Sequence, residues 1–323
     1  MSDWLLIDGA RRLLGDVCTY EAVQAAEAEG WSSAVWDAVD GAGYASLSEL
    51  PLEDAVGLLT VAGEHAAPVP LAEAALAGWL LGEPPPGRVS VAPAGDLRLE
   101  DGVLSGAALR VPWGHAVERI VAVVDTWAVV VPVASAARVE RRTNLAGEPR
   151  DTLVFERAAP HDVRPVACEL LERGALTRAA LIAGALAAMA RLTVAYAQER
   201  RQFGRPIAAF QAVQAHLVSI AQDASLVGAA VDGAAHRPGS FEIAAAKALA
   251  SRAALSATRA AHQVHGAMGM TQEYRLHHFS RRLWAWRNEY GDERHWAAAL
   301  GEAVVAAGPD ELYPAITGGS AVI

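Results

Sequence analysis

The sequence predicts an α+β fold in three parts: an N-terminal helical domain over residues 1–87, a small central β domain over 88–160 and a C-terminal antiparallel helical bundle over 161–323. Three observations predict it. Apolar residues recur at helical spacing from Leu5 to Leu81, short β-rich runs between turn residues fill Arg88 to Pro160, and long helical repeats return from Val166. With 323 residues, 53% hydrophobic and 20% charged, the chain can bury more than one core.

Each element follows in order. Leu71, Ala75, Leu76, Trp79 and Leu80 share one helical face. Gly82-Glu83-Pro84-Pro85-Pro86-Gly87 then stops any helix, because proline has no amide donor and restricts the residue before it. Val89 with Val91, Leu97 with Leu99, and Val103 with Leu104 mark brief strands. Ile120–Val124 and Trp127–Val133, joined by Asp125-Thr126, read as a hairpin of buried strands, and Leu153-Val154-Phe155 as a further strand. In the last part, Leu181, Ile182, Ala185, Met189, Leu192 and Tyr196 define the apolar face of a long helix. Pro206 sits where the first turn of a helix tolerates it, and Ile207, Phe210, Gln214, Leu217, Ala221, Ala224 and Val227 mark a second long helix. A turn at His236-Arg237-Pro238-Gly239 leads to a third, Glu242 to His265, which Gly266 to Gly269 breaks before two shorter helices. Short turns between sequential helices predict antiparallel neighbours.

Composition narrows the function. The 27 basic and 37 acidic side chains leave a net charge of −10. This balance argues against a general binder of nucleic acid or anionic membrane, which needs a basic face. No membrane span is expected: Ile120 to Val133 is interrupted by Asp125 and falls short of the roughly 20 residues a bilayer needs. Asp3 comes early, and Arg11 and Arg12 follow the short apolar segment, so no secretory signal is expected either. Cys18 and Cys168 make no disulfide framework and read as reduced thiols of a cytoplasmic protein. Lys247 is the one lysine, and with the alanine excess it reads as compositional bias.

Two stretches carry chemistry. Tyr196-Ala-Gln-Glu-Arg200-Arg-Gln-Phe-Gly204-Arg-Pro-Ile-Ala-Ala-Phe-Gln211 resembles the helix-turn-helix signature of acyl-CoA dehydrogenases. Gln263-Val-His-Gly266-Ala-Met-Gly269-Met-Thr-Gln-Glu273-Tyr274, followed by Leu276 and Arg281-Arg282, resembles a second motif of that family: a glutamine, a glycine-rich turn, a Glu-Tyr pair and a basic helix. Weaker echoes lie in Ala67-Pro-Val-Pro-Leu71-Ala-Glu73 and in Leu104-Ser-Gly106 with Val111-Pro112. The resemblance implies the family's three-part fold and its reaction, α,β-dehydrogenation of an acyl-CoA thioester with FAD, in which a carboxylate takes the α proton. It also implies that Arg200, Gln202, Phe203 and Gln211 reach across a subunit interface to the neighbouring subunit's FAD, and that Gln263 and Gly266 contact its adenosine and pyrophosphate end. The chemistry is coherent: arginine offers a forked donor to phosphate oxygens, and glycine lets backbone amides come close. Each residue also has a plain structural use. Arg200 can be the cation at a helix C-terminus, and Gly266 and Gly269 a C-cap turn.

Two departures qualify the resemblance. Active members carry a Thr-Glu-Pro-type turn and a Gly-Ser segment that hold the flavin ring, whereas Ala94-Gly95-Asp96 runs straight into Leu97 to Asp101. Trp113 is either a substitute there or a side chain packed at a domain edge. The second departure is the base, a glutamate before a Gly-Thr pair in many members. In Trp284-Ala-Trp-Arg-Asn-Glu289-Tyr290-Gly291-Asp292, an ungapped count puts Tyr290 at that position, a phenol too weakly basic near neutral pH. A one-residue shift restores Glu289, the catalytic candidate. Asp292 replaces a threonine expected to face pyrophosphate, adding repulsion. The alternative base position falls on Gly174, with Glu172 rotated roughly 200° away on the helix.

His262 and His265 lack a convincing third metal ligand, and His277-His278 read as a solvated face or a substrate-edge pair. No Rossmann fingerprint, Walker loop or nucleophile elbow is present. The expectation is a subunit that lends residues to the FAD of a catalytic paralogue. The resemblance here is to actinobacterial heteromers acting on CoA esters of bulky groups such as steroid side chains, with an electron-transfer flavoprotein as acceptor. One alternative is a self-sufficient FAD-dependent dehydrogenase, a homodimer with Glu289 as base. A further one is a structural helical protein without flavin.

Overall fold

The computed structural model describes residues 4–311 with 313 and 314; Asp3 and the end of the 161–323 range lie outside them. The helical periodicity of the first part resolves into α1 (Trp4–Val17), α2 (Tyr20–Glu29), α3 (Ser33–Gly41), α4 (Leu52–Glu64) and α5 (Leu71–Leu81). Side-chain caps punctuate it. Thr19 Oγ1 accepts from the Ala22 amide at 3.2 Å and Ser32 Oγ from the Val35 amide at 3.4 Å, satisfying first-turn donors. Helix α5 is buried at every position except Trp79, and the proline run after it is not helical.

The strands are β1 (Val89–Ala92), β2 (Ala94–Gly95), β3 (Arg98–Glu100), β4 (Val103–Pro112), β5 (Arg119–Val124), β6 (Trp127–Pro132), β7 (Arg138–Glu140), β8 (Arg150–Ala158) and β9 (Asp162–Pro165). They build two sheets. One runs β1-β5-β6-β9, with β1 parallel to β5; the other runs β2-β4-β8-β7, with β3 also paired to β4. The expected hairpin is β5–β6, turning through Asp125 at φ +53°, a conformation that a short polar side chain tolerates. Ile120, Ala122, Val129 and Val131 of one sheet share a core with Leu104, Ala108, Val111, Leu153 and Phe155 of the other.

Trp113 belongs to this core, buried under the Arg150 guanidinium 5.4 Å from its ring. Beside it the fully buried Asp151 accepts from the His115 amide and the His115 Nδ1, each at 2.8 Å, and from the Arg142 amide at 3.1 Å. The carboxylate therefore staples three chain segments.

The chain divides into two compact units, Met1–Leu58 with Ala67–Gly174 and Leu59–Ala66 with Ala175–Ile323. The second unit is built mainly from α6 (Leu170–Glu199), a hairpin of β10 (Arg201–Gln202) and β11 (Arg205–Pro206), α7 (Gln211–His236), α8 (Ser240–His265), α9 (Leu276–Trp286) and α10 (Glu293–Ala307). Helix α6 is long and apolar enough to cross a membrane, but 61% of its apolar 18-residue window is buried within the protein, as in a core helix. Helix α8 packs α7, α9 and α10 against a face of small side chains, including Ala246, Ala250, Ala253, Ala257 and Ala261.

One expectation is corrected. Pro206 does not open α7; it ends β11, Ile207–Ala209 form a 3₁₀ turn, and α7 begins at Gln211. Phe203 and Gly204 are both left-handed, at φ +51° and +79°, which closes a two-residue type I′ turn and pairs Gln202 with Arg205. The chain must finish that hairpin before it can wind into a helix.

Candidate functional site

Tyr196 near the end of α6 stacks on His265 at the end of α8, ring centroids 4.3 Å apart, and Tyr274 meets Tyr196 edge-on at 5.7 Å. The Tyr196 hydroxyl donates to the His265 carbonyl at 3.3 Å. This contact holds the last turns of α6 and α8 together, and the 201–206 hairpin leads from the same place into the first turn of α7. The six candidate cofactor residues therefore share one end of the bundle. Burial pushes the pKa of both His262 and His265 down, and His265 spends its Nδ1 on the Ala261 carbonyl at 2.8 Å.

Arg200, Gln202, Phe203, Gln211, Gln263 and Gly266 are all exposed, Phe203 by 92%. The side chains of Arg200, Gln202, Gln211 and Gln263 make no hydrogen bond or ion pair among the described residues. Space is open around Gly266, and no side chain caps the first turn of α7 at Phe210. A guanidinium, three carboxamides and an uncapped helix start, all facing outward, form a donor set suited to a phosphate-bearing nucleotide.

Glu289 lies elsewhere. Its turn, residues 287–292 between α9 and α10, packs on α8 at Lys247, which at 1.5 Å per helical residue is about 24 Å along α8 from Gln263. Glu289 Oε2 accepts from Arg178 Nε at 2.6 Å, with the arginine 1% and the glutamate 21% exposed. The Arg178 guanidinium stands over the Tyr290 ring at 5.4 Å. Tyr290 is left-handed at φ +54°, held by a hydrogen bond from Trp296 Nε1 to its carbonyl at 2.9 Å. Lys247 Nζ bonds to the carbonyls of Arg287 at 3.0 Å and Gly291 at 2.6 Å and to Ser251 Oγ at 3.0 Å. Burial pushes the lysine pKa down to about 7, against the upward pull of Glu289.

Comparison with known proteins places this bundle. Residues 164–292 match the family described as "Acyl-CoA dehydrogenase, C-terminal domain". Residues 164–292 are thus similar to the C-terminal domain of acyl-CoA dehydrogenases. Among curated proteins, the chain is 40% identical to the probable acyl-CoA dehydrogenase YngJ of Bacillus subtilis over 109 residues, 32% of this chain and 29% of that protein. It is 29% identical to the acyl-CoA dehydrogenase IpdE2 of Mycobacterium tuberculosis over 159 residues, 47% of this chain and 50% of that one. The chain thus spans half or less of the length of these curated relatives. In fold it is similar to the ChsE4-ChsE5 complex from Mycobacterium tuberculosis, with a TM-score of 0.79 at 20% identity, covering 94% of this chain and 97% of that one.

Two further side chains in this bundle have definite places. Asp292 caps α10, its Oδ1 accepting from the His295 amide at 2.9 Å, and that bond holds its carboxyl below the usual range. His278 is buried rather than solvated, with His277 half-buried against it at 4.0 Å between ring centroids. Sequence reasoning missed Arg178 and Lys247. For the lysine the signal was positional: Ile243, Ala246, Lys247, Ala250 and Ala254 repeat at helical spacing, so it falls on the buried face.

The cap gives a pH-dependent expectation. Asp292→Ala should cost about 1 kcal/mol at neutral pH, the usual worth of an N-cap. Because the folded carboxyl has the lowered pKa, that stabilisation is complete above the unfolded value of about 3.9 and is lost as pH falls through the folded value. Urea midpoints of wild type and variant should differ near pH 7 and converge on acidification.

Proposed function

We propose that this chain is a subunit of an FAD-dependent acyl-CoA dehydrogenase, lending Arg200, Gln202, Phe203, Gln211, Gln263 and Gly266 to an FAD held mainly by a second dehydrogenase chain. The observation that carries the reading is the outward donor set: four exposed polar side chains, grouped at one end of the bundle, with no partner among the described residues. Bound FAD supplies the hydride acceptor for α,β-dehydrogenation of an acyl-CoA. Arg200 binds phosphate oxygens, the carboxamides orient the nucleotide, and the exposed Phe203 ring excludes water from it.

In this reading the α proton is taken by the second chain. Glu289 is committed to Arg178, and Tyr290, in the register of the base, is a phenol. Similarity in fold to a complex of two named chains supports a heteromer; a bulky acyl group is part of the same proposal. An electron-transfer flavoprotein as acceptor, a cytoplasmic location and the partition into domains 1–87, 88–160 and 161–323 belong to the same reading.

The test is colour. Purified alone, the chain should be colourless; co-expressed with its companion dehydrogenase, it should co-purify with stoichiometric flavin absorbance and oxidise acyl-CoA. A yellow chain active by itself, with that activity lost in a folded Glu289→Gln variant, would establish the self-sufficient enzyme with Glu289 as base. A chain that takes up no flavin in either setting would leave only a structural helical protein.

A further inference from the structure

The lone lysine is fully buried, and the proposed function leaves it unused. Lys247 is 0% exposed, as is Ser251 one turn along the same helix. Its three hydrogen-bond partners form a set that is complete in two protonation states. As an ammonium, Nζ donates to the Arg287 carbonyl, the Gly291 carbonyl and Ser251 Oγ, while the Ser251 hydroxyl donates to the Arg287 carbonyl at 2.9 Å. As a neutral amine, Nζ donates to the two carbonyls and its lone pair accepts from Ser251, whose hydroxyl only has to rotate. Without a neighbour that can reverse its hydrogen bond in this way, a change of protonation would strand a buried polar group.

We propose that Lys247 is a proton-operated latch on the 287–292 turn: uptake of a proton favours release of the turn, and loss of the proton favours its closure. The sense follows from linkage. Opening the turn lets the amine reach water and keep its proton, whereas the closed turn buries it and disfavours the charge. The lowered pKa agrees with this direction.

The surrounding charges divide evenly. Glu289 and Asp292 favour the protonated amine; Arg178 from α6 and Arg287 from the turn favour the neutral one. From α10, His295 and Trp296 stand over Gly291, where an added Cβ would lie 2.7 Å from the imidazole and 2.5 Å from the indole nitrogen. The turn is already loaded, because Tyr290 sits left-handed within it. The latch needs no FAD to operate.

A single lysine makes the test direct. Lysine labelled with ¹³C at Cε gives one lysine resonance from the full-length chain, whose shift follows the charge. We expect a titration midpoint below 9. Hydrogen exchange of the 287–292 amides, divided by the same rate in Lys247→Met to cancel intrinsic base catalysis, should show protection rising above that midpoint. The rise should approach tenfold per pH unit and flatten below the midpoint. A midpoint of 9 or above overturns the proposal, and so does a protection ratio that does not change with pH. Should Lys247→Met fail to fold, the wild-type midpoint and the wild-type exchange corrected by peptide rates decide in its place.

Discussion

Glu289→Gln should destabilise the C-terminal unit by about 3 kcal/mol, the low end for breaking a buried ion pair, because it strips the carboxylate from an arginine 1% exposed. Arg178→Met should cost less, since the glutamate it leaves behind is 21% exposed and water can reach it. The double variant should recover most of the loss, as a buried pair replaced together is often near neutral. Urea unfolding of the three proteins measures this cycle. Additive costs in the double variant would show that the pair is not coupled. The cycle also bears on catalysis: activity lost in Glu289→Gln reports a missing base only if the same preparation is still folded.

Gly184→Ala is expected to be the most damaging single methyl in the second unit. A Cβ there would overlap the Thr60 carbonyl oxygen and lie 2.7 Å from the Glu64 amide nitrogen, so α4 and α6 must move apart. Backbone has no rotamer with which to yield, and the cost should reach about 3 kcal/mol, the upper part of the usual range for overpacking. Gly228→Ala on α7 is the control. Nothing lies within 4 Å of its added Cβ, so the better helix propensity of alanine should raise stability by roughly 0.5–1 kcal/mol. Opposite signs for one chemical change, read from urea midpoints, test the helix crossing. A neutral Gly184→Ala would contradict so close an approach.

How far these features could be read in advance depends on their range along the chain. The third long helix, expected from Glu242, starts two residues earlier at Ser240, because its period is written in consecutive residues. The β5–β6 hairpin was legible for the same reason. Pro206 misled because the Gln-Phe-Gly-Arg turn lacks the Asn-Gly or Asp-Gly pair that normally signals a type I′ hairpin. The two motif stretches showed which residues to watch, but their meeting at one end of the bundle comes from the Tyr196–His265 stack, 69 residues apart. Arg178 and Glu289 are separated by 111 residues, and no local pattern couples them. Lys247 was hidden differently. Alone among many arginines it resembled compositional drift, and only its buried hydrogen bonds give it meaning.

The Phe203–Gly204 turn has a consequence for how long a docked surface stays bound. A flexible loop bearing an aromatic ring must be ordered when it docks, and each immobilised side chain and segment subtracts from affinity. Here the ring stands on a two-residue turn closed by paired strands, with Phe210 edge-on at 6.0 Å and Arg205 over the Phe210 ring at 4.3 Å. It is a preorganised knob, so a surface that receives it keeps more of the gross contact energy as residence time.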